Sequence, residues 1–251
     1  MNVRVIPCLL LRNGGLVKSV KFRNHRYIGD PINAVRIFNE KEVDELVFLD
    51  IGARFSDGGP NFELLADIAS QAFMPFAYGG GIQDLNDVKE LYTLGVEKIV
   101  LNTVAYTSPS LVSRAAEMAG SSGVVISMDV KRSLFGNYSV VTHCGIEDTR
   151  ANPVEYAKRM ETLGAGEILL NSINRDGTME GYDLDLVEQV SNAVSIPVVA
   201  IGGAGELRHF DEAVHAGASA IGAGSMFVFH GKHRAVLITY PTYAEIGNIG
   251  K

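Results

Sequence analysis

Cysteine is scarce: Cys8 and Cys144 are the only two in the chain. Both fall in separate predicted strands, so neither a disulfide framework nor a cysteine-based metal cluster is suggested, and a reducing compartment fits. Positive charge is also short. With 22 Lys and Arg against 29 Asp and Glu, the net charge is −7, and no basic stripe is available to replace the counterions of a nucleic acid. No apolar run reaches the ~18 residues that a membrane span needs. The first apolar run, Val3 to Leu11, contains Arg4 and Pro7 and has no small-residue cleavage site, so no signal peptide is read and a cytoplasmic location is expected. Low-complexity tracts are absent. The eight prolines sit mostly at element boundaries such as Asp30-Pro31 and Ser108-Pro109, where proline suits a first helical turn.

What the chain does contain is a copy of itself. Phe76 to Thr103 reads as strand, glycine turn, helix, strand, and the layout recurs from Val198 onward. Gly80 matches Gly202 and Gly95 matches Gly217, both 122 residues on, and Thr103 matches Ser225. Upstream, the run from Asp44 to Ile51 faces the run from Gly166 to Ile173 at the same spacing. A repeat of that length holding several βα units is a duplicated half-domain, since solenoid repeats are much shorter. Two four-unit halves predict a (β/α)₈ TIM barrel, for which 251 residues is the right length at ~250 typical. One domain, 1–251, is expected, with an atypical short C-terminal segment over about 226–251. Glycines after a strand let backbone amides approach an anion. Two such turns in symmetric positions predict a ligand with two phosphates, against the plainer reading that the glycines merely permit tight turns.

Strands are predicted at Val3–Leu10, Glu45–Ile51, Pro75–Tyr78, Glu97–Leu101, Val124–Asp129, Glu167–Asn171, Val198–Ile201 and Ala218–Ala223. A long loop runs through Asn13-Gly14-Gly15, another passes Asp57-Gly58-Gly59, and Lys131 to Arg150 reads as a hairpin excursion. Pro241 follows Gly231 too closely for a full outer helix, so the last helix is expected to be truncated.

Alternate residues of a barrel strand point inward. Arg4, Lys98 and Glu167 share the inward phase with Ile6, Cys8, Leu10, Val100, Asn102, Leu169 and Asn171, and Glu45 opens the second strand. Four charges of alternating sign therefore stand at strand entrances, about 20 Å below the exit face at ~3.3 Å per residue. Composition alone favours a closed, stabilising plug over a gate. At the exit of the fifth strand, Asp129 is a candidate general acid or base. The matching half-repeat position is Leu10, so paired acid/base chemistry lacks one partner. Asp176 could supply it, although an Asp before Gly more often shapes a loop. His230 and His233 have metal-compatible spacing but no carboxylate. With Lys232 and Arg234 they form a basic cluster that is either a docking site for a partner or anionic sugar nucleotide, or the solvated face of a short helix.

The runs PCLLLRNGG, DELVFLDI, YGGGI, KIVLNT, MDVKR, GEILLNSINRDGT and GGAG resemble the cyclase subunit of imidazole glycerol phosphate synthase over residues 1 to about 230. That resemblance implies a barrel paired with a separate glutaminase, which sends ammonia through the barrel to a ligand with two phosphates. It assigns one phosphate to Gly81, Asn102 and Thr103, and the other to Asp176, Gly177, Gly203, Gly224 and Ser225. It assigns Lys18 to a loop-one lysine and Asp129 to a catalytic aspartate. Arg4, Glu45, Lys98 and Glu167 become an ammonia gate, displacing the plug, and Glu97 becomes a glutaminase contact. No cofactor and no metal is implied.

Two departures stand out: Leu10 occupies the place of the family's other catalytic aspartate, and the tail differs from the usual last helix. Both look like a paralogous branch associated with acetamidino modification of surface-polysaccharide sugars, where a sugar amidotransferase is a further partner. The resemblance therefore implies an ammonia-channelling subunit of that kind, with the histidine-pathway cyclase as the alternative and a non-enzymatic scaffold as a third reading that intact ligand loops oppose.

Overall fold

The computed structural model describes residues 3–53 and 59–251. Eight parallel strands close a barrel: β1 (Arg4–Arg12), β2 (Leu46–Asp50), β3 (Phe76–Gly79), β4 (Lys98–Leu101), β5 (Val124–Arg132), β6 (Glu167–Ser172), β7 (Val198–Ile201) and β8 (Ala220–Ala223). Each strand pairs with the next, β8 pairs with β1, and the β5–β6 register sets Asp129 beside Asn171. Seven helices cover the outside: α1 (Pro31–Glu40), α2 (Phe62–Gln71), α3 (Leu85–Thr93), α4 (Ser110–Ala119), α5 (Pro153–Thr162), α6 (Leu184–Ser191) and α7 (Leu207–His215).

Local chemistry sets these helix starts. The Asp30 side chain accepts from the Asn33 amide ahead of Pro31, and Asn152 caps α5 ahead of Pro153 in the same way. Asp84 and Asp87 form a reciprocal capping box on α3. Each helix then lays its apolar stripe on the strands, giving an outer core that includes Phe38, Phe48, Tyr78 and Phe210. Inside the ring lies a second, smaller apolar cluster containing Ile6, Cys8, Val47, Val100, Leu169 and Val199.

Four sequence expectations need correction. The long first loop is a β-hairpin, Gly15–Val20 with Arg23–Gly29, turning on Lys21 and Phe22 at φ 52° and 61°. Two left-handed residues match the twist of a two-residue hairpin even without glycine. β1 and β5 run past their predicted ends because antiparallel partners extend them, the second being Tyr138–Thr142. Cys144 lies in the turn after that strand rather than in a strand. α6, capped by Asp183, carried no signal strong enough to be placed from sequence.

The tail is the fourth correction. In place of a truncated outer helix, a short helix (Ser225–Val228) leads into a two-residue hairpin, Phe229–His230 with Ala235–Val236. An extended strap follows, with Leu237 N donating to Val228 O and Thr239 N to Phe227 O. Tyr240 packs on Phe227 with ring centroids 5.3 Å apart and donates to Val5 O, and Tyr243–Ile246 closes the chain with Ile246 and Ile249 buried. Thus an extended strap, rather than an outer helix, packs against Phe227 and the first strand. His230, Lys232, His233 and Arg234 consequently occupy a hairpin, not a helix face.

Candidate functional site

At the strand-entrance end, Arg4 pairs with Glu45 at 2.7 Å and with Glu167, while Lys98 pairs with Glu45 at 2.8 Å and Glu167 at 2.9 Å. The four side chains form one closed ring in which each charge touches two of opposite sign. Burial pulls the Arg4 pKa down, but the bonds to Glu167 and Glu45 outweigh it and raise it. Glu97 is exposed on the same face, as is Phe73 between α2 and β3, which shows 88% of its surface.

Above the ring, the inner apolar cluster fills the bore. Beyond it opens a cavity of about 720 Å³ at the strand exits. Leu10, Lys18, Gly81, Asn102, Thr103, Asp129, Asp176, Gly177, Gly203, Gly224 and Ser225 all line it. The sequence-predicted site residues thus divide between two places, one at each end of the bore.

The duplicated turns take similar shapes. Asn102 (φ −120°, ψ −92°) and Gly224 (φ −123°, ψ −70°) each precede a short helix, Thr103–Thr107 and Ser225–Val228. A Cβ at Gly80 would collide with the Asp50 carbonyl, and one at Gly203 with that of Gly181. Glycine is therefore needed at both for close packing, whatever they bind. Thr103 Oγ1 accepts from the His143 amide at 3.0 Å, which ties the hairpin excursion to the first turn.

Asp129, 8% exposed, accepts from Asn171 Nδ2 on one oxygen and Asn102 Nδ2 on the other, both at 2.9 Å. Burial pushes its carboxyl up to about 6, with Asp176 adding to the rise and the two amides opposing it. Burial also raises Asp176, against the pull of Lys18 and of donors at Phe22 N and Ser19 Oγ. Lys18 is buried, and burial lowers its pKa. Its Nζ donates to Cys8 O at 2.5 Å and fills the space a side chain at Gly224 would need. Burial thus shifts all three groups toward their uncharged forms inside the cavity, and Asp129, at about 6, can change protonation near neutrality, as proton-transfer chemistry requires.

Sequence reasoning passed over several lining residues. Asp50 binds the Gly52 and Ala53 amides at 2.8 and 2.9 Å and is raised by burial. Arg12 and His25 reach the rim because loop one folds back as a hairpin. Asn171 shared the inward phase of β6, which was the signal available for it. No cluster of three metal-ligating side chains occurs among the described residues. Asp57 and Gly58 of the second exit loop lie outside those residues.

The profile of a family described as histidine biosynthesis protein matches residues 4–234. A Pseudomonas aeruginosa protein named, provisionally, imidazole glycerol phosphate synthase subunit hisF2 is 52% identical over 239 residues, 95% of both chains. A Leptospira borgpetersenii protein, again provisionally named subunit HisF, is 45% identical over 96% of both. The subunit HisF of Streptomyces coelicolor is 44% identical over 91% of both.

Proposed function

Given that the chain belongs to the family of histidine biosynthesis proteins, among the HisF-like cyclase subunits, we propose that it receives ammonia from a separate glutaminase and delivers it through the barrel. In this reading the glutaminase sits over Glu97 and the ring of Arg4, Glu45, Lys98 and Glu167. Neutral ammonia crosses the apolar bore, where ammonium would lose its hydration without a counter-ion. Delivery serves acetamidino modification of a surface-polysaccharide sugar, together with a partner amidotransferase. The observation that carries the proposal is the pairing of Asp129 with Leu10. The cavity keeps its twin turns and Lys18 for a ligand with two phosphates, yet one of the two half-repeat carboxylates is a hydrocarbon. The hisF2-named relative shares more of this chain than the Streptomyces HisF does, 52% against 44%.

A second reading, the histidine-pathway cyclase, is favoured by one specific feature: Asp129 is raised to about 6 and Asp176 is raised in the same cavity. Asp129 would then hold or move a proton while Asp176 served as the second group. The deciding experiment supplies the histidine-pathway ribulosyl bisphosphate with excess ammonium salt to wild type and to Leu10→Asp. An inert wild type that still binds the glutaminase, with turnover gained by Leu10→Asp, supports delivery without cyclisation. Turnover by wild type at a rate comparable with a true cyclase assigns it to the second reading.

A further inference from the structure

The hairpin excursion of β5 ends in a tip that nothing in the barrel accounts for. Between Arg132 and Tyr138 the turn is pinned by Ser133, whose amide donates to Asn137 O and whose Oγ accepts from the Asn137 amide. Leu134 and Phe135 project from it at 103% and 94% exposure. Lys131 and Arg132 lead into the tip. Arg132 stacks over Tyr138 and reaches Asp185 at 3.7 Å, whereas Lys131 makes no ion pair among the described residues.

A second protrusion rises from the same strand-exit face. The outer hairpin strand Arg23–Gly29 pairs on one side only among the described residues, and Arg23 to Tyr27 are exposed along it. Tyr27 is 65% exposed there, beside Arg23 and Arg26, and Arg26 reaches the tail by donating to Arg234 O and covering the Phe229 ring. Glu147 and Asp148 belong to the same rim, so the basic character is local to these tips.

We propose that the strand-exit face docks on an anionic lipid bilayer surface, with Leu134 and Phe135 inserted at the headgroup level and the neighbouring Lys and Arg side chains against lipid phosphate. Apolar side chains flanked by cations have this partition behaviour at a membrane interface. A protein partner is less favoured: a stable interface buries about 800 Å² on each side, and the large exposed apolar side chains named here are few and sit on two different hairpins, Leu134 and Phe135 on one and Tyr27 on the other. A second copy of the chain would bring like charges together. The cavity opens on this face, so docking would hold it at the membrane. The inference does not depend on ammonia delivery.

The test uses the full chain and phosphatidylcholine vesicles containing about one-third phosphatidylglycerol, read by co-sedimentation. Leu134→Ser with Phe135→Ser is expected to lower the bound fraction about tenfold, and Lys131→Glu to lower it several-fold only when phosphatidylglycerol is present. Because the chain has no tryptophan, Phe135→Trp supplies a single reporter whose emission should shift to the blue on these vesicles. The tip is solvent-exposed, so unchanged far-ultraviolet circular dichroism is expected for each variant. Binding to pure phosphatidylcholine as strong as to the anionic vesicles, no binding to either, or an indole that stays solvent-exposed would overturn the proposal. So would a tip variant that binds vesicles normally but fails to associate with a purified amidotransferase.

Discussion

Both ends of this barrel bury charge, and they do it in opposite ways. At the strand entrances four charged side chains satisfy one another in a closed ring. At the exits Asp129 is held by neutral amides, Lys18 by a carbonyl, and Asp176 by a hydroxyl and an amide. Neutral donors and acceptors orient an ion without neutralising it, and the attraction between Lys18 and Asp176 is weaker than their desolvation, so burial shifts the exit groups toward their uncharged forms. Buried charge that is paired lends itself to structure or gating. Buried charge that is merely hydrogen-bonded remains available for proton transfer.

The sharpest way to break this contrast is at the ring. Glu167→Ala leaves Arg4 and Lys98 sharing Glu45, and a buried charge without its partner costs about 3–5 kcal/mol. With the Arg4 side chain 35% exposed, the lower end, about 3 kcal/mol, is expected from urea unfolding. A loss under about 0.5 kcal/mol would make the ring no different from surface ion pairs.

The exit end should show its difference in pH dependence. Asp129 rises from 3.8 to about 6 on folding, so the native state binds more protons than the unfolded chain between those values. Its contribution is therefore favourable in acid and is lost as pH rises through that window. Over the interval the change amounts to about 3 kcal/mol, and Asp176 acts in the same direction. Comparing the pH–stability curves of wild type and Asp129→Asn isolates the Asp129 share. Parallel curves would mean that the carboxyl is hydrated in solution.

A smaller effect is expected from Asn171→Leu, which removes one of the two amide donors on Asp129. Asp129 should then titrate above about 6, as read by carboxyl ¹³C NMR, with a stability cost of about 1–2 kcal/mol. Smallest in stability is Phe73→Ala, within about 0.5 kcal/mol, because the ring is already in water. If the ring-side face receives a glutaminase, the same change should weaken that complex about tenfold or more by calorimetry.

Much of the architecture could be read directly because duplication writes the same signal twice. β7 falls on its predicted residues, and most other barrel strands shift at their ends by one to three residues. Inward alternation puts Arg4, Lys98 and Glu167 on one level, with Glu45 at the entrance of the second strand, since pleating fixes side-chain direction from spacing alone. The loop-one hairpin was missed because its turn uses Lys21 and Phe22 rather than glycine. The tail was missed because its strap is held by bonds to Phe227, Val228 and Val5, contacts that no local pattern announces.

By itself, then, the sequence determined the eightfold count, the duplication, the phase of each strand and the residue types at both ends of the bore. These depend on periodicity and composition, which are local properties of a chain. Only the tertiary structure decided which buried charges meet a counter-charge and which meet a neutral amide. Pairing and desolvation depend on distances between residues as far apart in sequence as Arg4 and Glu167, and those distances exist only once the barrel has closed.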